Sequence, residues 1–224
     1  MRSTRFLAAA ASAILLAALL AGCGSSKSAT TTGGFPTGPV KNGCVVLPSA
    51  PKMGPHNEKA PTGLLTAGKH YDVTIQTNCG SFTFRIDQAQ SPHASASFVA
   101  LVKAGFFDRT IFHRIAVGFV IQGGDPTGTG TGGPGYETVD PPPASAAYTH
   151  GIVAMAKTQL QAPGTAGSQF FVVTAPDAGL PADYAIIGTV TKGLDVVDRI
   201  GKLGNPSQQP TMVVELEKVT VAES

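Results

Sequence analysis

The stretch Thr110–Asp125, TIFHRIAVGFVIQGGD, carries the residues best placed to do chemistry. Two short runs of β-branched and aromatic residues, Thr110–Ile115 and Phe119–Gln122, flank Ala116-Val117-Gly118. Gly118 can take the positive φ of a tight reversal. A hairpin closing around it makes Arg114 and Gln122 cross-strand partners on one face. Period-2 alternation puts Phe112 on the face of Arg114 and turns His113 and Ile115 the other way. One sheet face then carries a guanidinium, an amide and apolar side chains, which suits an apolar peptide pocket with a few fixed donors. The plain alternative is a core hairpin with one surface arginine.

Other chemistries find little footing. The histidines at 56, 70, 93, 113 and 150 show no HExxH spacing and the cysteines no CxxC pair, so no metal site is expected. His113 reads as a structural side chain bonded within the sheet. G-x-S-x-G is absent, which removes Ser168 as a hydrolase nucleophile. Gly128-Thr129-Gly130-Thr131-Gly132-Gly133 fits G-x-G-x-x-G, but Pro134 and Pro141–Pro143 follow where a dinucleotide fold needs a helix. No cofactor is expected, and the glycines read as letting a loop wrap the wall of the domain.

The elements that must hold the hairpin follow from periodicity. Tyr71–Thr77 and Ser81–Ile86 alternate around Asn78-Cys79-Gly80, a second hairpin. Pro92–Ala104 has Ala94, Phe98, Leu101 and Val102 at helical spacing, with Ser91 as N-cap and Gly105 as stop. Gly123–Ala147 is a long Gly/Pro/Thr loop. Ile152–Ala156, Gln169–Thr174 and Ile186–Val190 read as strands, Leu194–Ile200 as a short amphipathic helix, and Met212–Val221 as a closing strand. The 27 glycines and 17 prolines favour many short strands over long helices. Composition alone does not choose barrel over sandwich.

FHRIAVGFVIQGGD resembles one signature of the cyclophilins, a family of peptidyl-prolyl cis-trans isomerases, and Gly167-Ser168-Gln169-Phe170-Phe171 resembles the other. The likeness covers roughly Tyr71 to Val221. It implies a mainly β fold, a closed eight-stranded antiparallel barrel capped by two α-helices, and catalysed rotation about X–Pro bonds in proline-containing polypeptides. By that resemblance Arg114 matches the catalytic arginine, and Phe119, Val120 and Phe171 the proline socket, with Leu180 and Tyr184 at its rim. Gln122 matches the glutamine that bonds the substrate backbone and orients the arginine. Gln169 lies beside the pocket, and Gly124 is counted with the substrate-binding set. Ala156, Lys157 and Thr158 match the edge segment whose backbone pairs with the bound peptide. Lys157 stands where Asn is frequent in the family, Tyr184 where His is frequent, and Thr158–Gly167 is longer than in short members.

The first third of the chain lies outside the likeness. Residues 1–22 read as an export signal: Arg2 and Arg5 form a basic start and Phe6–Leu20 an apolar run. Leu20-Ala21-Gly22-Cys23 resembles the bacterial lipobox, implying a cleaved chain that begins at an acylated Cys23 and is anchored to the extracytoplasmic face of the cell membrane. An ordinary signal peptide with an incidental cysteine is the alternative. Residues 23–43 read as a flexible Ser/Thr/Gly/Pro tether, 44–69 as an irregular extension lying on the domain, and 70–222 as the catalytic domain. With Cys23 so assigned, Cys44 and Cys79 form an even pair in an exported chain and suggest a disulfide; two free thiols are the alternative. The chain has 16 basic and 14 acidic residues, and removing Arg2 and Arg5 leaves 14 against 14. That gives no nucleic-acid footprint, and a monomer is expected. Two rival functions remain: a non-catalytic proline-peptide-binding or chaperone module of the same fold, and a solute-binding transport lipoprotein, for which the chain is too short and too β-rich.

Overall fold

The computed structural model describes residues 37–224, which belong to one compact unit. The signal-like segment, Cys23 and most of the expected tether lie outside the described residues. Strands β1 (Val40–Lys41) and β2 (Cys44–Val45) pair antiparallel around Asn42 and Gly43. Val40–Lys41 falls in the stretch read as tether. What fixes it is long-range: a Cys44–Cys79 disulfide and a bond from Val45 N–H to Asn78 O at 2.8 Å. The cysteine pairing is the one expected from the sequence, whereas the Val45–Asn78 backbone bond leaves no trace in composition.

The domain proper begins with β3 (Tyr71–Thr77) and β4 (Gly80–Ile86), a hairpin whose Val73, Ile75, Phe82 and Phe84 enter the core. Helix α1 (Pro92–Lys103) follows, with Gly105 at φ 73° beyond its end. Pro92 suits the first turn, where its missing N–H costs no helical bond. Ser91 does not cap it, and its hydroxyl is buried without a partner among the described residues. Asp140, from a later loop, takes that role by accepting the Ala94 N–H at 2.6 Å.

The remaining elements are β5 (Thr110–Ile111), β6 (Arg114–Ala116), β7 (Val120–Gly123), β8 (Thr138–Val139), β9 (Ile152–Met155), β10 (Thr165–Ala166), β11 (Phe170–Val173), β12 (Ile186–Lys192), α2 (Leu194–Gly201) and β13 (Glu215–Glu223). Strands β8 and β10 pair apart. Nine others form one antiparallel sheet in the order β5-β13-β3-β4-β12-β9-β11-β7-β6. This corrects the expected closed eight-stranded barrel. The sheet curls until its two edge strands are chain neighbours, but β5 and β6 do not bond to each other. Phe112 N–H goes to Val214 O and Ile115 N–H to Gln208 O, so the chain at Phe112–His113 bends away from a closing ladder.

That bend also breaks the expected alternation. Phe112 does not share the face of Arg114; it is fully buried in the interior beside Ile115. The interior row Ile115–Ile121–Val172–Val153 follows from strand register. Rings from α1, the segment after it and β11 pack together in the core: Phe98 stacks on Phe107 at 4.7 Å and meets Phe170 edge-on at 5.4 Å. Burying each such ring is worth about 1.5–3 kcal/mol, and each aromatic pair roughly a further 0.5–1.5. Helix α2 adds Val196, Val197 and Ile200.

Candidate active site

The opposite face of the sheet carries a second row in the same register. Arg114 is opposite Gln122, Gln122 opposite Phe171, Phe171 opposite Ala154, and Ala154 opposite Ile186. Directly paired residues point to one side, so a guanidinium, an amide and an aromatic ring stand side by side on the outer surface. The turn that makes this possible is Ala116–Phe119, with Gly118 at φ 70° and open space where a Cβ would be.

Around Phe171 lies an apolar patch separate from the interior core. Phe171, Val120, Ala154 and Val173 form its floor, while Phe119, Leu180 and Tyr184 are half-buried and accessible at its margin. Phe171 and Tyr184 meet edge-on at 5.5 Å. Tyr148, which sequence reasoning missed, clamps this wall: its hydroxyl donates to Tyr184 O at 2.8 Å and accepts the Tyr184 N–H at 2.9 Å. Burial pushes the Tyr148 hydroxyl pKa up, with the Tyr184 bond opposing, so the proton it donates stays on.

Arg114 is held from two sides. Its Nη1 donates to Gln122 Oε1 at 3.1 Å and its Nε to Gln208 Oε1 at 2.7 Å, while the guanidinium carbon lies 5.9 Å from the centre of the Phe119 ring. Gln122 Nε2 in turn donates to Gln169 Oε1 at 3.0 Å, and Gln169 Nε2 to Gly132 O at 3.0 Å. The relay ends on the glycine-rich loop, whose N–H groups embrace a carboxylate of this same chain. Fully buried Asp125 accepts the N–H groups of Thr127, Thr129, Gly130 and Gly132. A Cβ at Gly132 would meet Asp125 Oδ1 at 2.1 Å, which explains the glycine there.

Gln208 also escaped sequence reasoning. It lies in a polar loop without periodicity, at φ 61°, a conformation L-residues rarely take. Asn205 holds the loop: its Oδ1 accepts the N–H groups of Ser207 and Gln209, and its carbonyl the Gln208 N–H. His113 lines the small cavity of about 290 Å³ beside Arg114 and Gln208. It is not bonded within the sheet as expected; its Nδ1 is buried without a partner among the described residues. Burial lowers its pKa, Asp125 opposes this and Arg114 adds to it, so the ring is held neutral.

The edge segment departs from expectation in one respect. Ala156 N–H is taken by Gln169 O and Thr158 N–H by Gln161 Oε1. Lys157 contributes more than backbone: its side chain is buried, its Nζ lies 2.6 Å from Asp183 Oδ2 and donates to Gln161 O, and it sits over the Tyr184 ring. Gly124 lines neither cavity. It lies beneath Ser168, whose carbonyl a Cβ would meet at 2.5 Å, so its place is in the packing under the site. A larger cavity of about 900 Å³ opens on the far side of Gln122 and Gln169.

A family model described as cyclophilin type peptidyl-prolyl cis-trans isomerase/CLD matches residues 72–221. The chain is 38% identical over 140 residues to peptidyl-prolyl cis-trans isomerase CYP18-2 of Arabidopsis thaliana, covering 61% of this chain and 84% of that one. It is 37% identical over 155 residues to peptidyl-prolyl cis-trans isomerase-like 1 of Neurospora crassa, covering 67% and 93%. A crystal structure of a cyclophilin type peptidyl-prolyl cis-trans isomerase from Cryptosporidium parvum superposes with a TM-score of 0.63 at 33% identity, covering 68% of this chain and 98% of that one. A structure of that protein in the presence of the dipeptide Ala-Pro superposes with a TM-score of 0.62.

Proposed function

The chain belongs to the cyclophilin-type peptidyl-prolyl cis-trans isomerases, and from that premise we propose how its residues act and where it works. An X–Pro bond turns over a barrier of roughly 18–20 kcal/mol, set by amide resonance. Lowering it takes no bond cleavage. It takes a socket for the ring, donors for the flanking backbone, and a group that favours the twisted amide, whose nitrogen has regained its lone pair. The Phe171 patch, edged by Phe119, Leu180 and Tyr184, is the socket. Arg114 directs its guanidinium at the proline nitrogen, an interaction that exists only in the twisted state and so accelerates rotation. Gln122 orients Arg114 and bonds the substrate backbone, with Gln169 behind it. Lys157 follows the end of β9, and its backbone N–H and C=O pair with an extended peptide.

One observation carries this reading: the register that sets Arg114, Gln122 and Phe171 side by side outside the core. A protease-coupled isomerase assay tests it. Arg114→Ala loses roughly 10²–10³-fold in turnover, the scale of one preorganised electrostatic donor, while keeping its fold. Near-wild-type turnover would leave the alternative, a peptide-binding module without catalysis.

The setting follows from the N-terminal residues. The lipobox-like Leu20–Cys23 and the apolar run before it support an exported, acylated protein acting on polypeptides outside the cytoplasmic membrane. Cys23→Ala should release the protein from the membrane fraction; a variant that stays bound would remove the lipid anchor from this account.

A further inference from the structure

Residues 54–58 lie outside the family-matched span 72–221, yet they help wall the larger cavity. Two backbone bonds bracket them: Gly54 N–H donates to Pro126 O at 3.0 Å, and Glu58 N–H to Pro134 O at 2.9 Å. Side chains reinforce the seat. Met53 packs so closely on Gly128 that a Cβ there would meet its Cε at 2.5 Å, and His56 stacks on Phe106 with ring centres 5.2 Å apart. Between the brackets Pro55 and Asn57 face the cavity. Asn57 rests over Gly135, where a Cβ would meet its Oδ1 at 2.9 Å, so the glycine leaves room for this side chain.

The same cavity is lined by Gln122, Gln169 and Lys157. A peptide with its proline on the Phe171 patch and its backbone along Lys157 therefore carries a flanking side chain toward Asn57. The chemistry of that side chain follows from the lining. The Lys157 ammonium is already committed to Asp183, whereas the Glu137 carboxylate, which lines the same space, is met by the neutral amide of Gln161. The space therefore presents a carboxylate with no cationic partner among the described residues, and Asn57 adds an amide to its lining.

We propose that the 54–58 segment is a specificity-determining wall of the substrate cleft, with Asn57 receiving a donor-bearing side chain (lysine, arginine or glutamine) that flanks the substrate proline. The proposal rests on the isomerase reading above. The test measures kcat/KM on peptides with a constant X–Pro core and Ala, Leu, Gln or Lys placed on each flank in turn. Asn57 is exposed, so its variants keep the fold. Asn57→Ala should lower kcat/KM about 3–10-fold for the Gln and Lys peptides on one flank, the scale of one lost hydrogen bond, and leave the Ala peptide unchanged. Asn57→Asp should raise Lys over Gln. A uniform loss across the series, or no change in any peptide, overturns the assignment. Wild type without turnover on the Ala peptide would overturn the isomerase reading instead, so the two failures are distinct.

Discussion

Lys157 and Asp183 form an ion pair whose cation is hidden and whose anion is not: the lysine side chain is 2% exposed and the aspartate 28%, with Nζ 2.6 Å from Oδ2. Through it the 158–161 turn and the Tyr184 wall are tied to the edge segment Ala156–Thr158. Removing one partner of a buried pair costs roughly 3–5 kcal/mol. Asp183 can recover water, so Lys157→Met should cost less, about 1–2 kcal/mol in urea unfolding. The rim loosens with it, and KM should rise several-fold with kcat little changed; an unchanged KM would separate the pair from substrate binding.

Gln208 holds Arg114 from outside the hairpin, and its role can be separated from that of its loop. Gln208→Gly keeps the φ of 61° without strain and can keep the backbone bond to Ile115, while removing the side chain. With Gln122 still holding the guanidinium, loss of this second orienting bond predicts a drop in kcat of roughly 3–10-fold, the scale of an ordinary hydrogen bond, with KM held. Gln208→Glu, which retains the acceptor, should restore most of it. Full activity in Gln208→Gly would show that Gln122 alone suffices to orient the arginine.

The Cys44–Cys79 bridge spans 35 positions. Closing a loop of that length is worth about 4 kcal/mol in the chain-entropy account. Cys44→Ser with Cys79→Ser should lower stability by that amount at most. It should also free the extension hairpin, read as faster proteolysis around Val40–Leu47. Equal stability of oxidised and reduced wild type would contradict it.

Asp125 sets an acid limit. Burial pushes its carboxyl pKa up, but the bonds from Thr127, Gly132 and Gly130 outweigh this and hold it below the ordinary carboxylate value. A folded pKa lowered in this way gives stability that is complete above the unfolded value of about 3.9 and is lost as pH falls toward the folded one. Asp125→Asn should be less stable than wild type at pH 7, by about 2–3 kcal/mol for charge-assisted bonds. The gap should narrow below about pH 4. Since Gly132 O anchors the Gln169–Gln122–Arg114 relay, kcat should fall as well. A gap constant from pH 7 to pH 3 would refute the linkage.

Local pattern made much of this readable from sequence. Alternation around Gly118 places Arg114 opposite Gln122, helical spacing places Phe98 and Leu101 on the buried side of α1, and the run at Gln169–Thr174 marks the strand that carries the Phe171 patch. Period fails where the chain bends, so alternation assigns Phe112 to the wrong face. It is silent about loops. Nothing in the spacing of Gln208, Asn57 or Asp140 indicates that they reach Arg114, the cleft and the start of α1, because each contact joins segments far apart in sequence. The buried side chain of Lys157 is equally invisible in the sequence, since it depends on a partner 26 positions away that no local rule supplies. How far a ladder continues is likewise a property of the whole sheet, so local pattern does not tell a closed barrel from the curled open sheet.

Strand β13 lies between β3 and β5, bonded to both. A chain that emerges from its N-terminal side therefore shows β3 with one bare edge, bearing Val73 and Ile75, until Glu215–Glu223 arrives. Such an edge is a template for pairing with a neighbouring molecule, and long-range strand insertion is slow compared with local hairpin formation. The interval between the two events is when this protein is most open to aggregation, and it lengthens with every delay in delivering the final strand.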